Sequence, residues 1–199
     1  MSTCSKYNQS FLTACLNGDP GVSRVYIANY DDILSFTTDS VSGIVLSGLT
    51  CTGETSPQKC FYRVELLQDV GAAVDTPTIS VANGVAISIP SVKFKISKLT
   101  QEALNAFNKL KSSRSVVVYE NMEGVLYAVG IQRGLYMTAG TAGTDEATFE
   151  GITVELKGKE PIGQYIFSTS LQSTFVSTYV IATTGLSPFN GGGGDTSPL

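Results

Sequence analysis

The amino-acid order predicts an α+β fold, an antiparallel β-sandwich or half-barrel with one flanking α-helix. Three observations lead there. Short runs of alternating apolar and polar residues recur along the chain, cut by Gly, Asp, Asn and Pro. A single stretch, "LTQEALNAFNKLKSS", keeps the 3.6-residue apolar period of a helix. Asn83-Gly84, set between two alternating runs, is the strongest hairpin signal, because a type I′ turn needs φ > 0 at both central positions.

Residues 1–20 are polar, with Tyr7, Phe11 and Cys15 at helical spacing, and read as an N-terminal amphipathic arm. "VSRVYIANY", "DDILSFTTD" and "SGIVLSGLT" read as strands separated by Asp and Gly turns. In "CFYRVELLQD", Phe61, Arg63, Glu65 and Leu67 face one way and Tyr62, Val64 and Leu66 the other. Around Asn83-Gly84 lies "PTISVANGVAISIPSVKFKIS", in which Pro90 is expected to end the strand or bend it. The helix is expected near 99–113: Thr100 is its N-cap, Glu102 sits in its first turn, and Lys109, Lys111 and Arg114 lie in or after its last. Its apolar stripe is Leu99, Ala103, Leu104, Phe107 and Leu110. "SVVVYEN", "GVLYAVGIQ" and "GLYMTAG" follow as strands, with "NMEG" as a turn. The main domain is expected over 21–162, and 163–199 as a C-terminal strand and a Gly-rich tail that orders only on contact.

Composition narrows the chemistry. A chain of 199 residues with 42% apolar content can bury a core as one domain. No run of 18 apolar residues and no basic leader with an apolar core is present, so neither a membrane span nor a secretory signal is expected. Histidine is absent, which removes Ser-His-Asp, Cys-His and His-zinc arrangements. No Cys-x-x-Cys pair exists. The cysteines Cys4, Cys15, Cys51 and Cys60 read as reduced, small, semi-buried apolar residues. A Cys51–Cys60 bridge around "TGETSPQK" is the alternative, since loop closure alone does not show that the side chains meet. No catalytic, cofactor or metal residue is expected. Glu120 and Glu123 beside Gly124 read as hairpin acids, not as a general acid and base.

"AGTAGTDEATFEG", residues 139–151, resembles a phosphate cradle at first sight. No lysine follows before Lys157, and the next residues alternate as a strand with a slip at Gly151, read as a bulge. The spacing of Asp145, Glu146 and Glu150 does not suit a calcium loop. The stretch is therefore expected to be the loop of a long hairpin. Charge is segregated as well. Residues 93–114 hold Lys93, Lys95, Lys98, Lys109, Lys111 and Arg114 against Glu102 alone, a net of +5, so with −4 overall the remainder carries −9. A basic edge and an acidic edge, with Asp145 and Glu146 meeting the basic segment, would favour head-to-tail assembly. The plainer reading is a solvated helix face with dipole-matching lysines.

The segment "LNAFNKLKSSRSVVVYENMEGVLYAVGIQRGLYMTAGTAGTDEATFEGITVELKGKEP", residues 104–161, resembles tail-tube-type structural proteins of tailed bacteriophages, especially phages of Bacteroides-like hosts. There a helix is followed by a hairpin with Asn and Gly at its turn, a "GLxxTxG" strand and a "GxTxxLxGKEP"-like strand. The opening "PGVSRVYIANYDDI" is similar too, while 39–92 and the chain after 162 depart from the pattern. The resemblance implies a non-enzymatic β-sandwich subunit of the virion tail or neck, made in the bacterial cytoplasm and needing no cofactor. Its partners would be a homo-oligomeric ring, hexameric before dodecameric, other tail, neck or portal proteins, and DNA that passes without specific binding. An acidic subunit suits a lumen to which DNA does not adhere. A capsid decoration protein is the alternative within the virion. A ligand-binding β-sandwich is disfavoured by the absence of Trp.

Overall fold

The structure is a computed structural model that describes residues 21–179 except 42, 53–59, 65, 67–70, 81–84, 97–98, 146–148, 169 and 172–174. The expected N-terminal arm and Gly-rich tail lie outside the described residues. The fold is α+β with a sheet-rich core. Twelve strands and one α-helix are described: β1 Val22–Asn29, β2 Ile33–Thr38, β3 Val45–Cys51, β4 Phe61–Val64, β5 Ala72–Ser80, β6 Val85–Ile96, α1 Gln101–Leu110, β7 Ser115–Asn121, β8 Leu126–Val129, β9 Tyr136–Asp145, β10 Phe149–Lys157, β11 Tyr165–Phe167 and β12 Phe175–Tyr179.

Eight strands form one sheet in the order β12-β4-β1-β7-β8-β11-β3-β2, and four form a second in the order β5-β6-β10-β9. Both faces of the larger sheet are buried, which the near-continuous apolar run of β7 anticipates. One face, with Val25, Ile27, Val117 and Val129, packs against Val92, Phe94, Ile152 and Val154 of the smaller sheet and against Phe107 of α1. The other face closes on itself. Phe61 of β4 meets Phe167 of β11 edge-on at 5.7 Å between ring centroids, although β1, β7 and β8 lie between those strands. Phe167 also stacks on Phe175 of β12 at 5.3 Å, so the sheet curls strongly around this aromatic cluster.

Two features correct the antiparallel expectation. β11 pairs with β3, and β12 with β4, in parallel. β11 also sits between β8 and β3 in the middle of the larger sheet, so the segment after 162 is part of the main fold. Short strands that return after a long excursion leave no local pattern that specifies their direction.

The curl also brings Cys51, at the end of β3, to Cys60, just before β4. The two form a disulfide with Cα atoms 6.1 Å apart, which corrects the reading of these cysteines as reduced. Cys4 and Cys15 lie outside the described residues.

The helix forms as its sequence dictates. Thr100 accepts a hydrogen bond from the Ala103 N–H at 3.2 Å, and Ala103, Ala106, Phe107 and Leu110 are buried. The "NMEG" turn is held by the Asn121 side chain, which accepts from the N–H groups of Glu123 and Val125, with Gly124 at φ 82°.

The smaller sheet is built from two offset hairpins. β5 and β6 pair as the expected hairpin, from Ala72↔Lys93 to Ser80↔Val85; Asn83-Gly84 lies outside the described residues. β6 runs on through Pro90 instead of ending there. Pro90 stands opposite the end of β10, where its carbonyl accepts the Gly158 N–H at 3.2 Å and its missing donor costs a single rung. β9 and β10 pair from Tyr136↔Lys157 to Asp145↔Phe149, so residues 139–145 of the expected loop are strand, and 146–148 lie outside the described residues. The bulge is not at Gly151, which stays in register opposite Gly143; the register shifts between Glu155 and Leu156. Because Ile152 pairs with Ile96, the two hairpin tips point to opposite ends of the sheet.

Candidate assembly surfaces

Alternation along β6 splits the basic run 93–114. Val92, Phe94 and Ile96 point into the core shared with α1, so Lys93 and Lys95 stand on the opposite, outer face of the small sheet. Lys93 pairs with Glu155 at 3.5 Å, and Glu155 also holds Lys157 at 2.6 Å. These cations, Lys157 first, pull the Glu155 carboxyl below its ordinary value. Lys109 lies in the last turn of α1. Lys111 follows, its ammonium 4.4 Å from the centre of the Phe107 ring and 3.0 Å from Asn108 Oδ1. Arg114 pairs with Asp31 at 2.9 Å and lies over the Tyr30 ring. The expected basic edge is therefore distributed over two faces. Lys98 and Glu146 lie outside the described residues, and Asp145 is the last residue of β9. Of the two hairpin acids, Glu120 pairs with Arg24 at 3.1 Å and Glu123 is exposed.

A cationic cluster that the sequence reading passed over stands on the outer face at the base of the β9–β10 hairpin. A groove of about 460 Å³ opens there between Ile89, Tyr136 and Gly158, flanked by Arg133, Lys157 and Lys159. Lys157 and Lys159 are two apart in "ELKGKEP", and that spacing along an extended chain is the signal that could have revealed the cluster.

Behind the groove lies Glu160, fully buried. Its backbone exchanges two hydrogen bonds with Ser88, each 2.9 Å. Its carboxylate accepts the N–H of Arg133 at 2.9 Å and of Gln132 at 3.2 Å. It thereby fixes the turn between Gly130 and Gly134, both at φ 79°, that carries Arg133. Tyr30 and Tyr165 brace the same turn, the first donating to the Gln132 carbonyl and the second accepting from the Gln132 amide. At Gly130 a Cβ would stand 3.0 Å from the Ser115 carbonyl oxygen, and that close approach, with the positive φ, requires glycine.

Burial pushes the Glu160 carboxyl above its ordinary value, against the pull of the Arg133 and Gln132 N–H groups. A carboxyl whose value rises on folding contributes most below its unfolded value and less as pH rises through its folded one. Glu160→Ala is expected to cost about 1–3 kcal/mol, the penalty for stranding buried donors. The difference between parent and variant should narrow from acid to neutral pH. Thermal melts across that range check both statements; a constant difference would contradict the second.

The chain matches no known protein-family model, no curated protein and no solved structure.

Proposed function

We propose that this chain is a structural subunit of a tailed-phage virion, a β-sandwich with a half-barrel sheet that assembles into a ring or tube of the tail or neck around a DNA channel. It acts without enzymatic chemistry and resides in the virion after synthesis in the host cytoplasm. The small sheet carries this reading. Its edge strands β5 and β9 have no second neighbour among the described residues. All its pairs are antiparallel, so β5 and β9 run in opposite directions. The β9 edge of one copy can thus continue as an antiparallel ladder onto the β5 edge of the next. A heterologous contact of this kind forms a ring where the rotation between copies closes, and an unprotected edge favours such pairing.

The outer face of the small sheet is the cationic one. That face carries Lys93, Lys95, Lys157 and Lys159 against Glu155, so the net negative charge of the chain does not reside there. Light scattering after size exclusion, with negative-stain images, tests the proposal. Ring-shaped particles are expected; a monomer at every concentration would count against it, and a discrete trimer would favour a capsid decoration protein.

A further inference from the structure

We infer that the basic groove at the base of the β9–β10 hairpin holds one nucleotide of a single-stranded nucleic acid, its phosphate on Arg133 and Lys159 and its base on the Tyr136 ring. The site belongs to a single copy of the chain and does not depend on assembly. The groove is built into the fold. A Cβ at Gly158 would stand 2.8 Å from the Gly134 carbonyl oxygen, so two bare backbones pass closely there and bring the segments that carry Arg133 and Lys159 together. Buried Glu160 holds the first of these segments through the N–H groups of Gln132 and Arg133. It also pairs with Ser88, so the next rung sets Ile89 beside Lys159 on the outer face.

Lys157 is already held by Glu155 at 2.6 Å. Arg133 and Lys159 are exposed, and neither forms an ion pair among the described residues. Two uncommitted cations at one site suit a phosphate, and the guanidinium adds a planar fork of donors that matches its oxygens. Tyr136 stands across from Lys157 on the same face, 54% exposed and without a ring contact among the described residues. The volume of about 460 Å³ falls in the range of small-ligand sites, about 300–1,000 Å³. An aromatic platform beside backbone-binding cations is the arrangement that takes unpaired nucleotides, because only a base outside a helical stack can lie on the ring. A duplex keeps its bases stacked inside. It offers the groove phosphates alone, leaves Tyr136 and Ile89 without a partner, and is not held there.

Fluorescence anisotropy of the full chain with a labelled oligothymidylate of about 15 nucleotides, set against a duplex of the same length, tests this. The single strand should bind more tightly than the duplex. Tyr136→Ala should weaken strand binding roughly tenfold, and Tyr136→Phe should retain it, because the ring and not the hydroxyl carries the stack. Arg133→Gln with Lys159→Gln should weaken binding and reduce the slope of log affinity against log salt by about 0.7, the share of one phosphate on a single strand. Lys111→Gln, on the helix, should change neither. All these side chains project from the surface, so melting temperatures should hold; if the double variant melts early, Lys159→Gln alone replaces it, with weaker strand binding expected. Equal affinity for strand and duplex, with no response to Tyr136→Ala, reduces the groove to a phosphate patch and overturns the inference. A parent that binds neither probe overturns it as well. Thymidine monophosphate that displaces the strand at equal nucleotide concentration assigns the groove to a free nucleotide, and the inference falls. Each of these results leaves the ring reading standing.

Discussion

Phe107→Ala is expected to remove about 3–5 kcal/mol of stability, the cost of emptying a large aromatic site in a core that cannot fully collapse. Phe107 is 6% exposed and joins both sheets to α1 through one cluster with Val92, Phe94, Ile152 and Val154. The site is tightly bounded. A Cβ at Gly140 of β9 would come within 2.8 Å of the ring, and the Met137 side chain of the same strand packs against the cluster beside it. The ring also supports Lys111. Urea unfolding followed by circular dichroism measures the effect, with a lower midpoint and an unchanged slope. A loss under about 1 kcal/mol would mean that the helix does not close the core.

Removing the Cys51–Cys60 bridge is expected to cost about 2.5 kcal/mol from the entropy of closing its short loop in the unfolded chain. The bridge does more than close a loop. In the order of the large sheet β3 and β4 are separated by β1, β7, β8 and β11, so the bond ties the curl across its open side. Both sulfur-bearing residues are buried, Cys51 1% and Cys60 3% exposed, and reductant reaches them only through local opening. The Cys51→Ser, Cys60→Ser chain should therefore melt earlier than the parent, and added thiol should lower the parent toward it. A thiol assay on unfolded, unreduced protein should detect Cys4 and Cys15 alone. Titration of all four cysteines would refute the bridge.

Where local chemistry decides the structure, the sequence was legible. Thr100 and the Phe107 stripe specify α1, Asn121 specifies its turn, and the two alternating runs from Pro77 to Ser97 specify the β5–β6 hairpin. Alternation in "CFYRVE" correctly put Phe61 and Val64 on opposite faces, although both faces proved to be buried. Long-range pairing was not legible. Nothing near "YIF" indicates that β11 slots between β8 and β3, and the cysteine spacing does not reveal the curl that joins Cys51 to Cys60. Glycines and threonines at 139–145 suggested a loop, but a nine-residue partner strand overrode their weak strand preference. The basic run 93–114 looked like one edge because sequence proximity hides the strand period that sends Lys93 away from Lys109. The groove at Arg133, Lys157 and Lys159 was overlooked for the converse reason: its cations come from two segments that meet only after β9 and β10 pair.

The late entry of β11 governs how the chain reaches this structure. The hairpin of β2 and β3 touches the rest of the large sheet through β11, a strand that lies more than a hundred residues downstream. During synthesis the hairpin is therefore complete long before the strand that anchors it has left the ribosome. Its attachment waits for a long chain closure, whose entropy must be overcome before the parallel rungs form. Folding of this kind runs on the slow side, in milliseconds to seconds, because distant pairings dominate it. Until Phe167 arrives beside Phe61, the aromatic interior of the curl stays open to water, and nascent chains at that stage are the ones most exposed to sticking to one another.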